Sequence, residues 1–293
     1  MHKAGFVNIV GNPNVGKSTL MNQLVGEKLS IATFKAQTTR HRIMGIVNTE
    51  DTQIVFSDTP GVLKPNYKMQ EMMLQFSESA LADADILLYV TDVVEDPEKN
   101  MDFLEKVSKM SIPVILLINK IDESDQKTLG KLVTKWHGLL PNAEILPISA
   151  KNKFGIDILL KRIHELLPES PAFFDKDQLT DKPAKFFVSE IIREKILRYY
   201  DKEIPYSVEV VIERFKEDDR QIHISAIIYV ERSSQKGIII GHQGMALKKV
   251  STEARKSLER FFDKKIFLET FVKVDKVWRN SQKELKHFGY SPE

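Results

Sequence analysis

Apolar positions along the chain fall into two kinds of segment that alternate. Short apolar runs of strand type occur at Phe6-Val7-Asn8-Ile9-Val10, Met44 to Val47, Gln53 to Phe56, Asp85 to Val90, Ile112 to Ile118 and Glu144 to Ile148. Between them apolar residues recur at helical spacing, from Thr19-Leu20-Met21 onward, through Met69, Met72, Met73 and Phe76, across Phe103 to Met110, and in a pattern that ends at Leu167-Pro168. Strands alternating with helices predict an α/β fold, a mostly parallel, doubly wound sheet with ligands at the carboxyl ends of its strands. Residues 1–170 are therefore predicted as one domain. The segment 171–184 is polar, holds a further proline and has no clean period, which predicts a linker.

A different order follows in residues 185–293. A helix over Lys185 to Tyr199 precedes alternating strands at Val208 to Arg214 and Gln221 to Val230. A long helix over Met245 to Phe262 places Leu247, Val250, Ala254, Leu258 and Phe261 on an inward face. A third strand, Lys265 to Lys273, and a short helix, Gln282 to Phe288, close the chain. Counting the helix that leads into Gly241, the order is αββααβ, an α+β domain.

The strongest chemical signal lies between the first strand and the first helix. Gly11, Asn12, Pro13, Asn14, Val15, Gly16, Lys17 and Ser18 fit the phosphate-loop pattern, and Thr19 begins the helix. Glycines let backbone N–H groups turn inward, and the helix start adds positive potential, so the loop predicts a nest for a β-phosphate. Lys17 is placed to bridge the β- and γ-phosphates and the Ser18 hydroxyl to bind magnesium. In Lys35-Ala36-Gln37-Thr38-Thr39-Arg40-His41, Thr39 is the expected second magnesium hydroxyl, with Thr38 the fallback. Asp58, Thr59, Pro60 and Gly61 follow a strand; Asp58 is expected to hold magnesium through water, and the Gly61 amide to meet the γ-phosphate. The methionine stripe reads as buried core, or as a partner face that depends on the nucleotide.

Asn119, Lys120, Ile121 and Asp122 end another strand, where an aspartate can accept two hydrogen bonds from guanine and adenine offers no such pair. Ser149, Ala150 and Lys151 follow the strand Glu144 to Ile148, with backbone suited to the guanine oxygen. In the second half, Gly237, Ile238, Ile239, Ile240, Gly241, His242, Gln243 and Gly244 predict a tight turn past which a nucleic-acid backbone can run, with the isoleucines flooring a groove. Neither His242 nor Gln243 carries the fixed charge of a lysine or arginine, so phosphate attraction falls to Lys248 and Lys249, with Arg255 and Lys256 on the same helix. Trp278 reads either as a base-stacking platform or as a buried cap.

Composition narrows the field. The 293 residues suffice for two cores, and 42% hydrophobic with 29% charged residues describes a soluble globular chain. With no cysteine, disulfides, thiolate metal sites and cysteine catalysis are excluded. No apolar run approaches a membrane span and no secretion-signal pattern opens the chain, so a cytoplasmic location is expected. The net charge of +2 is unevenly spread: residues 1–184 hold 21 basic against 24 acidic residues, and residues 185–293 hold 22 against 17. A basic second half suits a polyanion partner and equally a solvated surface.

Together GNPNVGKS, QTTRH, DTPG, NKID and SAK stand in the order and rough spacing of the guanine-nucleotide elements of translation-factor-like GTPases. Their spacing and flanks, and the tail Val272 to Tyr290, resemble the Era family, small bacterial GTPases with an RNA-binding domain. The second half resembles a bacterial-type (type II) KH domain. The resemblance implies a GTP-hydrolysing switch that binds the 3′ end of 16S ribosomal RNA during assembly of the 30S subunit. It implies a monomer that requires magnesium, with hydrolysis resting on Lys17, Thr39, Asp58, Gly61 and Asn14, and with peripheral attachment to the cytoplasmic face of the inner membrane as an added expectation. Val62 stands where Ras-like GTPases place a water-orienting glutamine, an apolar replacement shared by the Era-like group, so slow intrinsic hydrolysis is expected. Asn14 matches an asparagine with which related GTPases hold potassium near the phosphates. The rival readings are a GTPase whose second domain binds protein or membrane, a non-enzymatic RNA-binding protein, and a tRNA-modifying GTPase, whose C-terminal cysteine is missing here.

Overall fold

The computed structural model describes residues 2–33 and 35–291. The chain divides into two compact units, the first comprising the residues up to Asn66 and Gln70–Asp181, the second Tyr67–Met69 and Lys182–Ser291.

In the first unit, β1 (Lys3–Gly11), β2 (Ile43–Asn48), β3 (Thr52–Asp58), β4 (Ile86–Asp92), β5 (Val114–Asn119) and β6 (Glu144–Pro147) form one sheet in the order β2-β3-β1-β4-β5-β6. Only the β2–β3 pairing is antiparallel. β3 and β4 are buried along their whole length, as strands covered on both faces must be, and so they read as runs and not as alternations. The connecting helices are α1 (Lys17–Val25), α2 (Lys68–Ala82), α3 (Met101–Ser108), α4 (Gln126–Leu139) and α5 (Ile156–Leu166). Met69, Met72, Met73 and Phe76 of α2 are all buried. The strand order reverses direction at β1, whose carboxyl end carries the glycine-rich loop, and such a reversal opens a crevice for a ligand.

The segment 171–184, predicted as a linker, is for the most part built into the first unit. Thr180 forms an antiparallel bridge with Gly45, the Leu179 carbonyl accepts from the Ile46 amide at 2.8 Å, and Asp181 Oδ1 accepts from the Met44 amide at 2.8 Å. The segment thereby covers β2, an edge strand that would otherwise offer unpaired backbone groups. Its other anchor is Gln53, fully buried on β3. The Oε1 of Gln53 accepts from the Phe173 and Phe174 amides at 2.7 and 3.0 Å, while Nε2 donates to the Phe174 carbonyl at 2.8 Å. Gln53→Ala removes all of these bonds at a fully buried position. It is expected to cost about 2–4 kcal/mol in urea unfolding and to open residues 171–181 to protease, whereas unchanged stability would show that Gln53 is not the anchor.

In the second unit, β7 (Val208–Glu217), β8 (Gln221–Val230) and β9 (Lys265–Val274) form a sheet in that order, β7 antiparallel and β9 parallel to β8. Against it lie α6 (Ala184–Tyr199), α7 (Ser233–Ile240) and α8 (Met245–Phe262), and α9 (Gln282–His287) ends the unit. The predicted αββααβ order is the observed one. The core joins Val188, Ile192 and Ile196 of α6 to Val250, Ala254 and Leu258 of α8 and to Ile224, Ala226 and Ile228 of β8. Phe261 corrects the predicted inward face: it is 43% exposed and stacks on Phe187 at 5.6 Å, and Phe262 packs on the core instead. Both lie within reach of the stripe, three and four residues beyond Leu258, and the four-residue step is the one taken. Trp278 is fully buried and meets Phe288 edge-on at 5.9 Å, which makes it a cap and removes it from any stacking surface.

Candidate nucleotide site and nucleic-acid interface

A cavity of about 520 Å³ opens at the carboxyl edge of the first sheet. Among the residues predicted to bind nucleotide, Pro13, Asn14, Gly16, Lys17, Ser18, Thr19, Thr39, Thr59, Gly61, Asn119, Lys120, Asp122, Ala150 and Lys151 line it. Gly11, Asn12, Val15, Asp58, Pro60, Val62 and Ser149 lie outside its lining, several of them holding residues that do line it. Ile31, Ala32, Thr33, Gln37, Thr38 and Glu123 complete the wall. Sequence reasoning passed over Ile31 to Thr33 because no motif marks a wall made by loop residues ahead of the threonine pair.

One end of the cavity is built around Lys17 and Asp58, both buried. Lys17 Nζ donates to the Gly11 and Asn12 carbonyls at 3.0 and 2.7 Å. Burial pushes the lysine down from 10.5 to about 8, against the pull of the Asp58 and Glu95 charges. Asp58, at the end of β3, is raised by burial, against the Lys17 charge and hydrogen bonds from Ser18 and Thr39. Its Oδ2 accepts from Ser18 Oγ at 2.8 Å and from Thr39 Oγ1 at 3.0 Å, the two hydroxyls lying 2.8 Å apart, and Oδ1 is buried with no hydrogen-bond partner among the described residues. Thr39 is thus the threonine that reaches the cluster. Two hydroxyl oxygens around a buried, under-partnered carboxylate suit a small hydrated divalent cation, and the lysine suits an anion beside it. Magnesium fits these donors.

At the other end of the cavity the loops after β5 and β6 meet. Asn119, at the end of β5, donates from Nδ2 to the Val15 carbonyl at 2.8 Å, and its Oδ1 accepts from the Ala150 amide at 2.9 Å. A Cβ on Gly16 would stand 2.3 Å from Asn119 Nδ2, and its φ of +95° is one that side chains resist, so only glycine permits this approach. Lys120 donates to the Asn14 carbonyl at 2.7 Å and to Asp92 at 2.5 Å. Asp122 is exposed, and its Oδ1 accepts from Ser149 Oγ at 2.6 Å. Asp122 lines the cavity, and its remaining lone pairs can accept from a ring that presents two donors.

In the second unit the tight turn runs from Gly241 to Gly244, with His242 and Gln243 exposed at its tip. Gly237 sits inside α7 and not in the turn, which removes it from the predicted signature. Ile239 is buried in the core and Ile238 is 50% exposed, so the run does not floor a groove as a unit: a helix sends successive residues to different faces. Lys248 and Lys249 are exposed on α8, Lys249 with its ammonium 4.6 Å from the Tyr199 ring. Arg255 and Lys256 are engaged with Glu259 and Glu253 at 2.7 and 2.9 Å, leaving Lys248 and Lys249 as the cations near the turn.

Comparison with known proteins agrees with this division. Residues 6–120 match a 50S ribosome-binding GTPase model and residues 203–279 a KH-domain model. GTPase Era of Clostridium kluyveri is 44% identical over 292 residues, covering 99% of this chain and all of that protein. GTPase Era of a Geobacter species is 46% identical over 290 residues, covering 98% of each. Among solved structures, one of Era in complex with MgGDPNP and nucleotides 1506–1542 of 16S ribosomal RNA superposes with a TM-score of 0.95, at 37% identity and with both chains fully covered. With identity of this level along its whole length, and with the glycine-rich loop, Asp122 at the cavity and the glycine-bounded turn each in place, the chain belongs to the Era family of GTPases.

Proposed function

We propose that the chain is a GTP-hydrolysing switch that binds the 3′ end of 16S ribosomal RNA through its second unit and acts in 30S subunit biogenesis. The observation that carries this reading is full-length likeness to an Era bound to MgGDPNP and that RNA, combined with an intact phosphate and guanine site. In the proposed bound state Lys17 turns from the Gly11 and Asn12 carbonyls to the β- and γ-phosphates. Ser18 and Thr39 would supply hydroxyls to magnesium, and Asp58 would hold it through water. Bound there, magnesium would supply positive charge beside the phosphates. The Gly61 amide meets the γ-phosphate. Thr39 and Gly61 each lose a partner when that phosphate leaves, which is how hydrolysis resets two segments at once.

Val62 offers no group to orient water, and it is buried, so intrinsic hydrolysis is slow. Asn14 lines the cavity beside the phosphate loop, and we assign it a potassium ion that takes up charge developing in the transition state. Single-turnover cleavage is expected to be roughly tenfold faster in potassium than in sodium, and the gain to vanish in Asn14→Ala. Equal rates in the two salts would remove potassium from the mechanism.

The RNA-binding surface is assigned to Gly241 to Gly244 with Lys248 and Lys249. A monomer in the cytoplasm, with any membrane attachment peripheral, completes the proposal. Among the described residues no helix is long and apolar enough to cross a bilayer.

A further inference from the structure

Three successive peptide planes beside the cavity are each pinned by one hydrogen bond. Ser77 Oγ, on α2 and fully buried, donates to the Pro60 carbonyl at 2.8 Å. The Val62 amide donates to the Gly11 carbonyl at 3.0 Å. Asn100 Nδ2 donates to the Val62 carbonyl at 3.1 Å and also to Asn12 Oδ1. The first bond has a geometric consequence. A trans peptide is planar, so the Pro60 carbonyl and the Gly61 N–H point in opposite directions. With the carbonyl held toward Ser77, the Gly61 N–H faces away from α2, and Gly61 is a wall residue of the nucleotide cavity.

Asn100 is the more informative of the two side chains. It occupies the N-cap of α3, where an asparagine normally accepts a hydrogen bond from its own helix, yet it makes no such cap. Its amide is spent instead on the Val62 carbonyl and on the phosphate loop through Asn12.

We infer that Ser77 and Asn100 are positioning residues for γ-phosphate recognition and hydrolysis, holding the Pro60-Gly61-Val62 backbone so that the Gly61 N–H is aimed at the γ-phosphate before the nucleotide arrives. Neither residue lines the cavity. Val62 lacks a side chain able to place the reacting groups, so the direction of this backbone carries more of the task. The inference rests on the proposed role of Gly61.

The test uses the full-length protein and the variants Ser77→Ala, Asn100→Ala and Asn100→Asp, the last keeping the shape but losing the donor. Affinities for GDP and for GppNHp, and single-turnover GTP cleavage, are measured alongside the thermal midpoint. GDP affinity is expected to stay within about twofold, GppNHp affinity to fall about tenfold, and cleavage to slow by roughly 10- to 100-fold, with Asn100→Asp matching Asn100→Ala. A purely structural role would lower the thermal midpoint and weaken both nucleotides alike. In the wild type, ¹⁵N-glycine labelling reports whether the Gly61 amide resonance moves when GppNHp replaces GDP. If it moves but the variants keep the wild-type GppNHp-to-GDP ratio and cleavage rate, the positioning role is overturned. If it does not move, the assignment of Gly61 to the γ-phosphate fails, and this inference with it.

Discussion

Asp122→Asn is expected to weaken GTP binding by about 10³-fold and to shift preference to xanthosine triphosphate. Guanine offers a ring N–H and an exocyclic amine, both of which an ionised carboxylate accepts; each such charge-assisted bond contributes about 1.5–3 kcal/mol, so two account for roughly 10²- to 10⁴-fold. An asparagine presents one acceptor and one donor, and its donor opposes the exocyclic amine. Xanthine carries a carbonyl at that position and complements the new amide. The substitution is gentle on the fold, because Asp122 is exposed and Asn can still accept the 2.6 Å bond from Ser149 Oγ. Competition between GTP and xanthosine triphosphate measures the switch, and an unchanged preference would take Asp122 out of the base site.

Gly244→Asp is expected to reduce affinity for a single-stranded 16S 3′-end oligonucleotide by about 10- to 100-fold while leaving GTP binding intact. A Cβ at Gly244 meets nothing within 4 Å, and although its φ is +75°, aspartate is among the residues that tolerate this conformation. The same change at Gly241 is a poorer probe, since a Cβ there would stand 2.6 Å from the Ala246 Cβ and disturb the start of α8. A carboxylate at the turn repels the phosphates that the turn would pass. Affinity measured across a salt series separates this effect from misfolding: the variant's deficit should shrink as salt screens the new charge. Undiminished binding would transfer the RNA from this turn to another surface, and would favour a second unit that binds protein or membrane.

The parts of the molecule legible in the sequence were those whose chemistry constrains side-chain identity. Gly16 and Lys17 were singled out for a phosphate nest and Asp122 for guanine, and all three line one cavity. The strand and helix alternation was legible because β3 and β4 are buried end to end and the helices between are amphipathic. Other features left no trace. Ser77 and Asn100 act on backbone carbonyls, and an acceptor that every residue possesses imprints no pattern. α4 buries Trp136 fully but carries Gly130 and Gly138, which dilute its helical signal. The segment 171–184 read as a linker because its anchoring partner, Gln53, is one polar residue hidden in an apolar strand. Phe261 and Phe262 stand side by side at the end of α8, where a period of 3.6 cannot choose between them.

The central claim is that the first unit senses the terminal phosphate of GTP and that this state governs how firmly the second holds RNA. The direct measurement is the affinity of the full-length protein for the 16S 3′-end oligonucleotide with GDP and then with GppNHp bound, at fixed salt. Binding at least about fivefold tighter with GppNHp is the predicted result, the lower end of ordinary coupling between two sites. Equal affinity in the two nucleotide states would contradict it.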